Sequence, residues 1–508
     1  MIVNEAIRNA RSSLILYAIK MVLQFTVRIV FLQVLTIEYL GLNGLFSNIL
    51  DVLSLTELGI GPAIVYSLYR PLADGNEKLV GSLMRLFKIS YILIGIGILV
   101  LGIGLTPWLD FFIKGKPDIP YLDIIYILFV IDTAISYFFS YKRNLLIADQ
   151  KQYIVNLYLT VGQISLGVGQ IWGLLITHSY WSFIGLKIID TLLENYFISR
   201  KAEKVYPFLK LNNSDNKLPT YVTKAIRKNV AAMIFHKIGG IAVFSSSNIL
   251  ISKFIGLSTV GIFSNYYLII TAINNVVGQV FSSLTASIGN LNTTAEMKEK
   301  VLAFRIIEFL AAWLSCYICV GIFVLMNPFI SLWLGNQYIF TKDIVALMTL
   351  NFYLTLMRRP AQVFKDAMGL FWNDRYKPLA EAIINISAGI LLVQHIGIAG
   401  VLIAMALSTI LAPFWVEPYV VTHNGLNYSL KSYFSSVVRY AGITIALSCL
   451  INLVLEKLFI EITIFSFAYA FVLCTIVVNT IWALLFWNSD ELSIIRSFVV
   501  KKLKGNQL

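Results

Sequence analysis

About fourteen stretches of roughly 20 mostly apolar residues follow one another along this 508-residue chain. Each is long enough to cross the hydrocarbon core of a bilayer, about 30 Å thick, as an α-helix. They fall near 13–36, 42–69, 84–106, 121–145, 153–176, 180–199, 229–252, 258–289, 303–326, 343–369, 378–395, 398–420, 435–455 and 461–487. With 58% hydrophobic and only 13% charged residues, the composition is far more apolar than a soluble chain of this length needs. The expected class is therefore all-α: a polytopic membrane protein of about 14 transmembrane helices. The segment Ala6 to Arg11 is polar and basic, and the apolar run from Leu14 is too long for the core of a cleavable signal. The first helix is expected to be retained.

The formal net charge of +13 would suit nucleic acid binding if the cations were clustered. Their placement argues for topology instead. With the N-terminus inside and each span reversing direction, Lys142, Arg143, Arg200, Lys201, Lys224, Lys298, Arg375 and Lys501 fall on the cytoplasmic side. The short exterior loops keep only about four cations, Lys114, Lys116, Lys342 and Lys457. That asymmetry is the positive-inside pattern, and it places both termini on the cytoplasmic side of the membrane. No nucleic acid partner is expected.

An internal repeat organises the chain. Gly44-Leu45-Phe46-Ser47-Asn48 returns 217 residues on as Gly261-Ile262-Phe263-Ser264-Asn265, and Lys20 maps to Lys237 at the same offset. A weaker echo maps Lys142 and Tyr153 to Lys365 and Tyr376. The longest polar stretch, Arg200 to Asn229, lies between two sets of six spans. Six is even, so both sets enter the membrane the same way, as parallel repeats with a cavity expected between them. The resulting domains are an N-terminal lobe (1–200), a cytoplasmic linker (201–228), a C-terminal lobe (229–425) and two added spans with a basic tail (426–508).

Charges within the spans mark the candidate site. Lys20, Gln24 and Arg28 are spaced i, i+4, i+8 and share one helix face. Lys237, Arg358 and Arg359 also lie at membrane depth, with Pro360 predicted to kink its helix. Lys187 and Asp190, i and i+3, are expected to neutralise each other. An unpaired charge at the bilayer centre costs about 2.5–3.5 kcal/mol on insertion scales. The cations must therefore face water, pair across helices, or await an anion. The expected substrate cavity is lined by Lys20, Gln24, Arg28, Asn48, Lys237, Asn265, Asn274, Arg358 and Arg359. Asp51, Glu57 and His236 are candidates for a coupling ion, H+ or Na+, with the two acids on different sides of their helix.

Other chemistry is poorly supported. The pair Cys316 and Cys319 sits in an apolar run without a histidine cluster and reads as packing, so no metal is expected. No phosphate-binding lysine motif is present, and no cofactor or catalytic residue is expected. The chain reads as a secondary carrier rather than an enzyme.

Several motifs then resemble one family. Leu58-Gly59-Ile60-Gly61-Pro62-Ala63 leading to Tyr69-Arg70-Pro71-Leu72-Ala73 is similar to the second span and first cytoplasmic loop of Wzx-type polysaccharide flippases. Leu145 to Lys151 with Tyr153, Ser331-Leu332-Trp333-Leu334-Gly335, and Gly369 through Pro378 followed by Glu381 and Asn385 resemble later junctions in family order. These flippases belong to the MOP exporter superfamily. The resemblance implies a two-lobed, MATE-like bundle working by alternating access. It also implies a polyprenyl-diphosphate-linked oligosaccharide as substrate, for a surface polysaccharide, with membrane lipids and polysaccharide polymerase machinery as partners. The diphosphate-holding role it carries falls on Lys20 and Arg28. The alternatives are a MATE-like multidrug or cation antiporter, and an integral polysaccharide polymerase or ligase, against which the short exterior loops argue.

Overall fold

Sequences of apolar residues this long leave the backbone no partner but itself in lipid, and the chain answers with helices throughout. A computed structural model describes residues 2–57, 59–115, 119–210, 218–220, 222–224, 226, 230, 245–370, 372–458 and 461–503. In order, the helices are α1 (Ile2–Val34), α2 (Ile37–Leu53), α3 (Ile60–Ala73), α4 (Glu77–Leu105), α5 (Leu109–Phe112), α6 (Leu122–Ala148), α7 (Gln152–Thr177) and α8 (Tyr180–Val205). Helix α9 is described over 245–254. Then come α10 (Leu257–Thr294), α11 (Met297–Leu334), α12 (Lys342–Met357), α13 (Arg359–Met368), α14 (Lys377–Ile396), α15 (Ile398–Leu411) and α16 (Pro413–Val421). The chain closes with α17 (Leu430–Leu458), α18 (Ile464–Leu485) and α19 (Asp490–Leu503). Among the described residues, 10 helical segments are long and apolar enough to cross a membrane. Large side chains such as Leu93, Val100, Val438, Ile445, Phe465 and Leu484 stand exposed on them, as lipid-facing surfaces require. This is a multi-pass membrane protein.

Three of the expected spans are broken, each by a local cause. The second divides at Ser54–Glu57, where Gly59 takes φ 73°, a left-handed conformation that glycine adopts without a Cβ penalty. The tenth divides at Arg358, one residue before the Arg359-Pro360 pair that opens α13. This is the predicted proline kink. The twelfth divides at Ala412, ahead of Pro413. Most of the seventh expected span, with His236 and Lys237, lies outside the described residues.

The chain divides into two compact units, Met1–Ser264 and Asn265–Leu508. The boundary falls inside α10 rather than in the polar linker. Its cause is the packing of the first turns of α10 onto α2 in the first unit. A Cβ on Gly41 would strike the backbone of Leu257, one on Gly44 would stand 3.1 Å from Val260 Cγ1, and one on Gly261 would stand 2.5 Å from the Ile37 carbonyl. The Ser258 hydroxyl donates to Glu38 at 2.6 Å beside them. The repeated glycines are thus where the two motif copies approach closely. Elsewhere in this unit, Phe31, Phe46, Tyr126 and Phe129 fill a core between α1, α2 and α6. Ile64, Leu83, Phe87 and Leu145 fill another between α3, α4 and α6.

In the second unit, α11 is the central helix. A capping box opens it, with Glu296 and Glu299 each accepting a backbone N–H of the other's position. The two added helices dock against it. Trp482 and Phe486 pack on Phe309 and Tyr440, Trp313 Nε1 donates to Asn479 Oδ1 at 3.0 Å, and Tyr317 and Thr475 share a hydrogen bond at 3.1 Å. Cys316 and Cys319 are buried free thiols in the same core.

Candidate functional site

On α1, the i, i+4 spacing gives Lys20, Gln24 and Arg28 a common face; Lys20 and Arg28 are half-buried and Gln24 is exposed. Arg28 Nη1 donates to Ser264 Oγ at 3.1 Å, and Ser264 in turn donates to the Gly261 carbonyl at 2.8 Å. The guanidinium therefore leans on the second copy of the repeated motif through a neutral hydroxyl. No carboxylate lies within ion-pair distance of Lys20 or Arg28 among the described residues.

The two asparagines of the repeat behave differently from the expectation that both line a cavity. Asn48 Nδ2 donates back to the Gly44 carbonyl at 2.6 Å and is half-buried. Asn265 is fully buried, 0% exposed, with its amide oxygen and nitrogen unpartnered, so it faces packed side chains and not open water. Of the two expected ion-coupling acids in this region, Asp51 is exposed. Glu57 sits at the break in the second span, where Tyr91 donates to it at 2.7 Å and Tyr137 at 3.4 Å.

Lys187 does not pair with Asp190. It reaches across to α6, where its Nζ lies 3.3 Å from Asp132 Oδ2 and 4.4 Å from the centre of the Phe129 ring. Spacing along one helix suggested the local partner; helix-to-helix packing supplied a more buried one.

In the second unit, Arg358 is fully committed. Its Nε and Nη2 each donate to Glu417 at 2.9 Å, a bidentate pair, and Nη1 lies 3.7 Å from Glu381. Lys377 bridges Glu417 at 2.5 Å and Asp374 at 3.0 Å, and Lys365 holds Asp374 at 2.8 Å. Three cations and three carboxylates from α12–α13, α14, α16 and the intervening loop neutralise one another. Arg358, expected to await an anion, instead has one built into the fold. Sequence reasoning missed Glu417, although an acid between Pro413 and Pro418 within an apolar span was itself a signal. Asp374 lies in the loop outside the spans. Burial by itself would raise its carboxyl, but the Lys377 charge and the Lys365 hydrogen bond outweigh that and hold it below the usual carboxylate range.

Arg359 is held differently. Its Nη2 donates to Asn274 Oδ1 at 2.9 Å and its Nη1 to Gln362 Oε1 at 3.4 Å, while its Nε is buried without a partner. Two residues singled out in the sequence, Arg359 and Asn274, are thus brought together, and the arginine's partners are neutral.

The comparisons identify the architecture. A multidrug resistance MATE family transporter of the MOP superfamily, in an inward-facing conformation, matches with TM-score 0.64 at 12% identity, over 80% of this chain and 94% of that one. The lipid II flippase MurJ, in an inward closed conformation, matches with TM-score 0.65 at 15% identity, over 93% of this chain and 98% of that one. A MOP superfamily transporter from Pyrococcus furiosus with a binding pocket of reverse polarity matches with TM-score 0.54 at 13% identity, over 82% and 95%. The chain shares the fold of these solved transporters. No family model and no curated protein matches the sequence.

The charges within the two units divide into two kinds. Arg358, Lys365, Lys377 and Lys187 are consumed by ion pairs inside one unit or the other. Arg28 and Arg359, one in each unit, are held by hydroxyl and amide groups that leave the positive charge uncompensated. An arginine in that state favours an oxyanion that can accept two parallel hydrogen bonds from its planar guanidinium, such as a phosphate.

Proposed function

We propose that this chain is a flippase that moves a polyprenyl-diphosphate-linked oligosaccharide across the cytoplasmic membrane for surface polysaccharide assembly. The observation that carries the reading is Arg28: a guanidinium at membrane depth whose partner is a neutral hydroxyl. A cation so placed costs about 2.5–3.5 kcal/mol unless water or an anion meets it. A diphosphate supplies that anion and takes two parallel hydrogen bonds from one guanidinium. Lys20 and Gln24 join Arg28 in the proposed diphosphate and sugar site of the first unit; Arg359 with Asn274 is a separate candidate anion contact within the second unit. Arg358 is assigned to the scaffold.

The substrate sets what the path must provide, and one comparison supports the reading. The sugar head carries many hydroxyls, and each costs roughly 1–3 kcal/mol to desolvate unpaired, so it needs a polar path while its tail stays in lipid. The likeness to a lipid II flippase covers 93% of this chain against 80% for the MATE transporter, leaving room for the added α17 and α18. Coupling to H+ or Na+, residence in a bacterial plasma membrane and association with a polymerase belong to the same proposal.

A MATE-like cation antiporter uses the same fold. It calls for uncompensated acids at the site rather than arginines. Arg28→Ala, expressed in a strain lacking the wild-type chain, separates the two readings. The flippase reading expects stable protein, loss of surface polysaccharide and lipid-linked units accumulating inside. Normal export with stable protein removes the proposed role of Arg28.

A further inference from the structure

The turn between α13 and α14 in the second unit joins two expected spans, so it lies at a membrane face. On the topology read from the sequence that face is cytoplasmic. Gly369, at φ 68°, ends α13, and the turn that follows carries Trp372, Asp374, Arg375 and Tyr376. Asp374 points inward. Its carboxylate is buried between Lys365 at 2.8 Å and Lys377 at 3.0 Å, and its carbonyl accepts the Lys377 amide at 3.0 Å. With its acid and both neighbouring lysines spent inside, the turn is fixed, and what it presents outward is aromatic and cationic. Trp372 and Tyr376 are 67% and 60% exposed. Arg375 lies across both, its guanidinium carbon 4.2 Å from the centre of the Trp372 ring and 4.6 Å from that of Tyr376.

One guanidinium nitrogen, Nη1, donates to the Trp372 carbonyl at 3.0 Å, which together with the two rings sets the plane of the group. Among the described residues no carboxylate lies within ion-pair distance of Arg375. Neutral partners therefore fix its geometry and leave its charge for an outside anion. The exposed surface continues from the turn into the membrane. From Tyr376 the exposed positions Ala380, Ile383, Ser387, Ile390 and Leu391 recur every three or four residues, along one face of α14. The Ser387 hydroxyl is spent on the Ile383 carbonyl at 2.6 Å, so this face offers apolar contact throughout. At a rise of 1.5 Å per residue it runs about 22 Å, more than the roughly 15 Å of hydrocarbon in one leaflet. The buried residues of α14, among them Ala382, Asn385 and Gly389, occupy its other side.

We propose that the turn from Trp372 to Tyr376 is a headgroup site for an anionic phospholipid of the surrounding leaflet. Arg375 holds the phosphate, the Trp372 and Tyr376 rings sit at the membrane–water boundary, and the acyl chains lie along the apolar face of α14. A guanidinium already stacked on two rings gives up little freedom when it binds. A zwitterionic headgroup is disfavoured, because its own cation meets the uncompensated Arg375 charge. Free phosphate is disfavoured too, because it gains nothing from α14. The site does not depend on what the chain transports.

The test is native mass spectrometry of the full-length protein in a neutral detergent, titrated with phosphatidylglycerol or with phosphatidylcholine of the same chain length. Wild type is expected to hold its first phosphatidylglycerol at least about tenfold more tightly than phosphatidylcholine, and Arg375→Ala to lose that preference. Arg375→Lys keeps the charge without the planar group stacked on both rings, and is expected to fall between the two. Inorganic phosphate at millimolar concentration is expected to leave the lipid bound. A wild type without preference, or an Arg375→Ala variant that keeps it, overturns the proposal. Displacement by inorganic phosphate also overturns it, in favour of a free-phosphate site. If Arg375→Ala folds poorly, the wild-type preference and Arg375→Lys still decide: a lysine variant equal to wild type removes the role given to the stacked guanidinium.

Discussion

Replacing Glu417 with glutamine tests the charge network of the second unit. The substitution keeps the side chain's size and removes the one charge that serves both Arg358 and Lys377. Glu417 is 1% exposed, so no water replaces it. Breaking a buried pair from one side costs about 3–5 kcal/mol, because the remaining charge stays buried and uncompensated. Two cations lose their partner here, but each keeps a second one: Glu381 at 3.7 Å from Arg358 and Asp374 at 3.0 Å from Lys377. The expected loss therefore stays near one broken pair, about 3–5 kcal/mol, rather than two. Unfolding of the purified protein in detergent, followed by tryptophan fluorescence against denaturant, measures it. The double variant Arg358→Met with Glu417→Met removes both charges of the bidentate pair and is expected to recover most of the loss. A cost under about 1 kcal/mol for Glu417→Gln, or a double variant as unstable as the single, would refute the assignment of Arg358 to the scaffold.

Gly261→Ala puts a methyl group 2.5 Å from the Ile37 carbonyl, which is backbone and cannot swing aside, so a loss of about 1–3 kcal/mol is expected in the same unfolding assay. Asp374→Asn should destabilise most at neutral pH: the folded carboxyl titrates below its unfolded value, so its contribution is full above about pH 4 and disappears as pH falls through the folded value. A melting-temperature difference between wild type and Asp374→Asn that stays constant down to pH 2 would contradict this. Trp482→Ala removes the side chain that joins α18 to Phe309 and Tyr440, and should cost about 3–5 kcal/mol while raising amide exchange in 430–485.

Much of the fold was legible because lipid imposes a simple rule: apolar runs of bilayer length become helices, and prolines and glycines break them. Pro360 and Gly59 mark two of the breaks, though only the first was anticipated. The repeated Gly44 and Gly261 were visible as symmetry, but their use as the contact of α2 with α10 depends on which helices meet, and spacing along the chain does not say that. Partner choice was illegible for the same reason. Lys187 has an acid three residues on and uses one 55 residues back, and Arg358 finds its counter-charge 59 residues on, in Glu417. Single helices reveal which charges share a face; the choice among distant partners is made by packing. The face formed by Lys20, Gln24 and Arg28 was legible because it belongs to one helix.

The central claim is that Arg28 holds the diphosphate of a lipid-linked oligosaccharide during its crossing. Its direct measurement uses proteoliposomes containing the purified chain and a fluorescent polyprenyl-diphosphate oligosaccharide, with accessibility to an impermeant quencher reporting the leaflet. Wild type is expected to equilibrate the lipid between leaflets, Arg28→Lys to do so slowly, and Arg28→Ala to match protein-free vesicles. Equal rates for wild type and Arg28→Ala, or a wild type that moves a cationic dye and leaves the lipid-linked sugar where it was, would contradict the account.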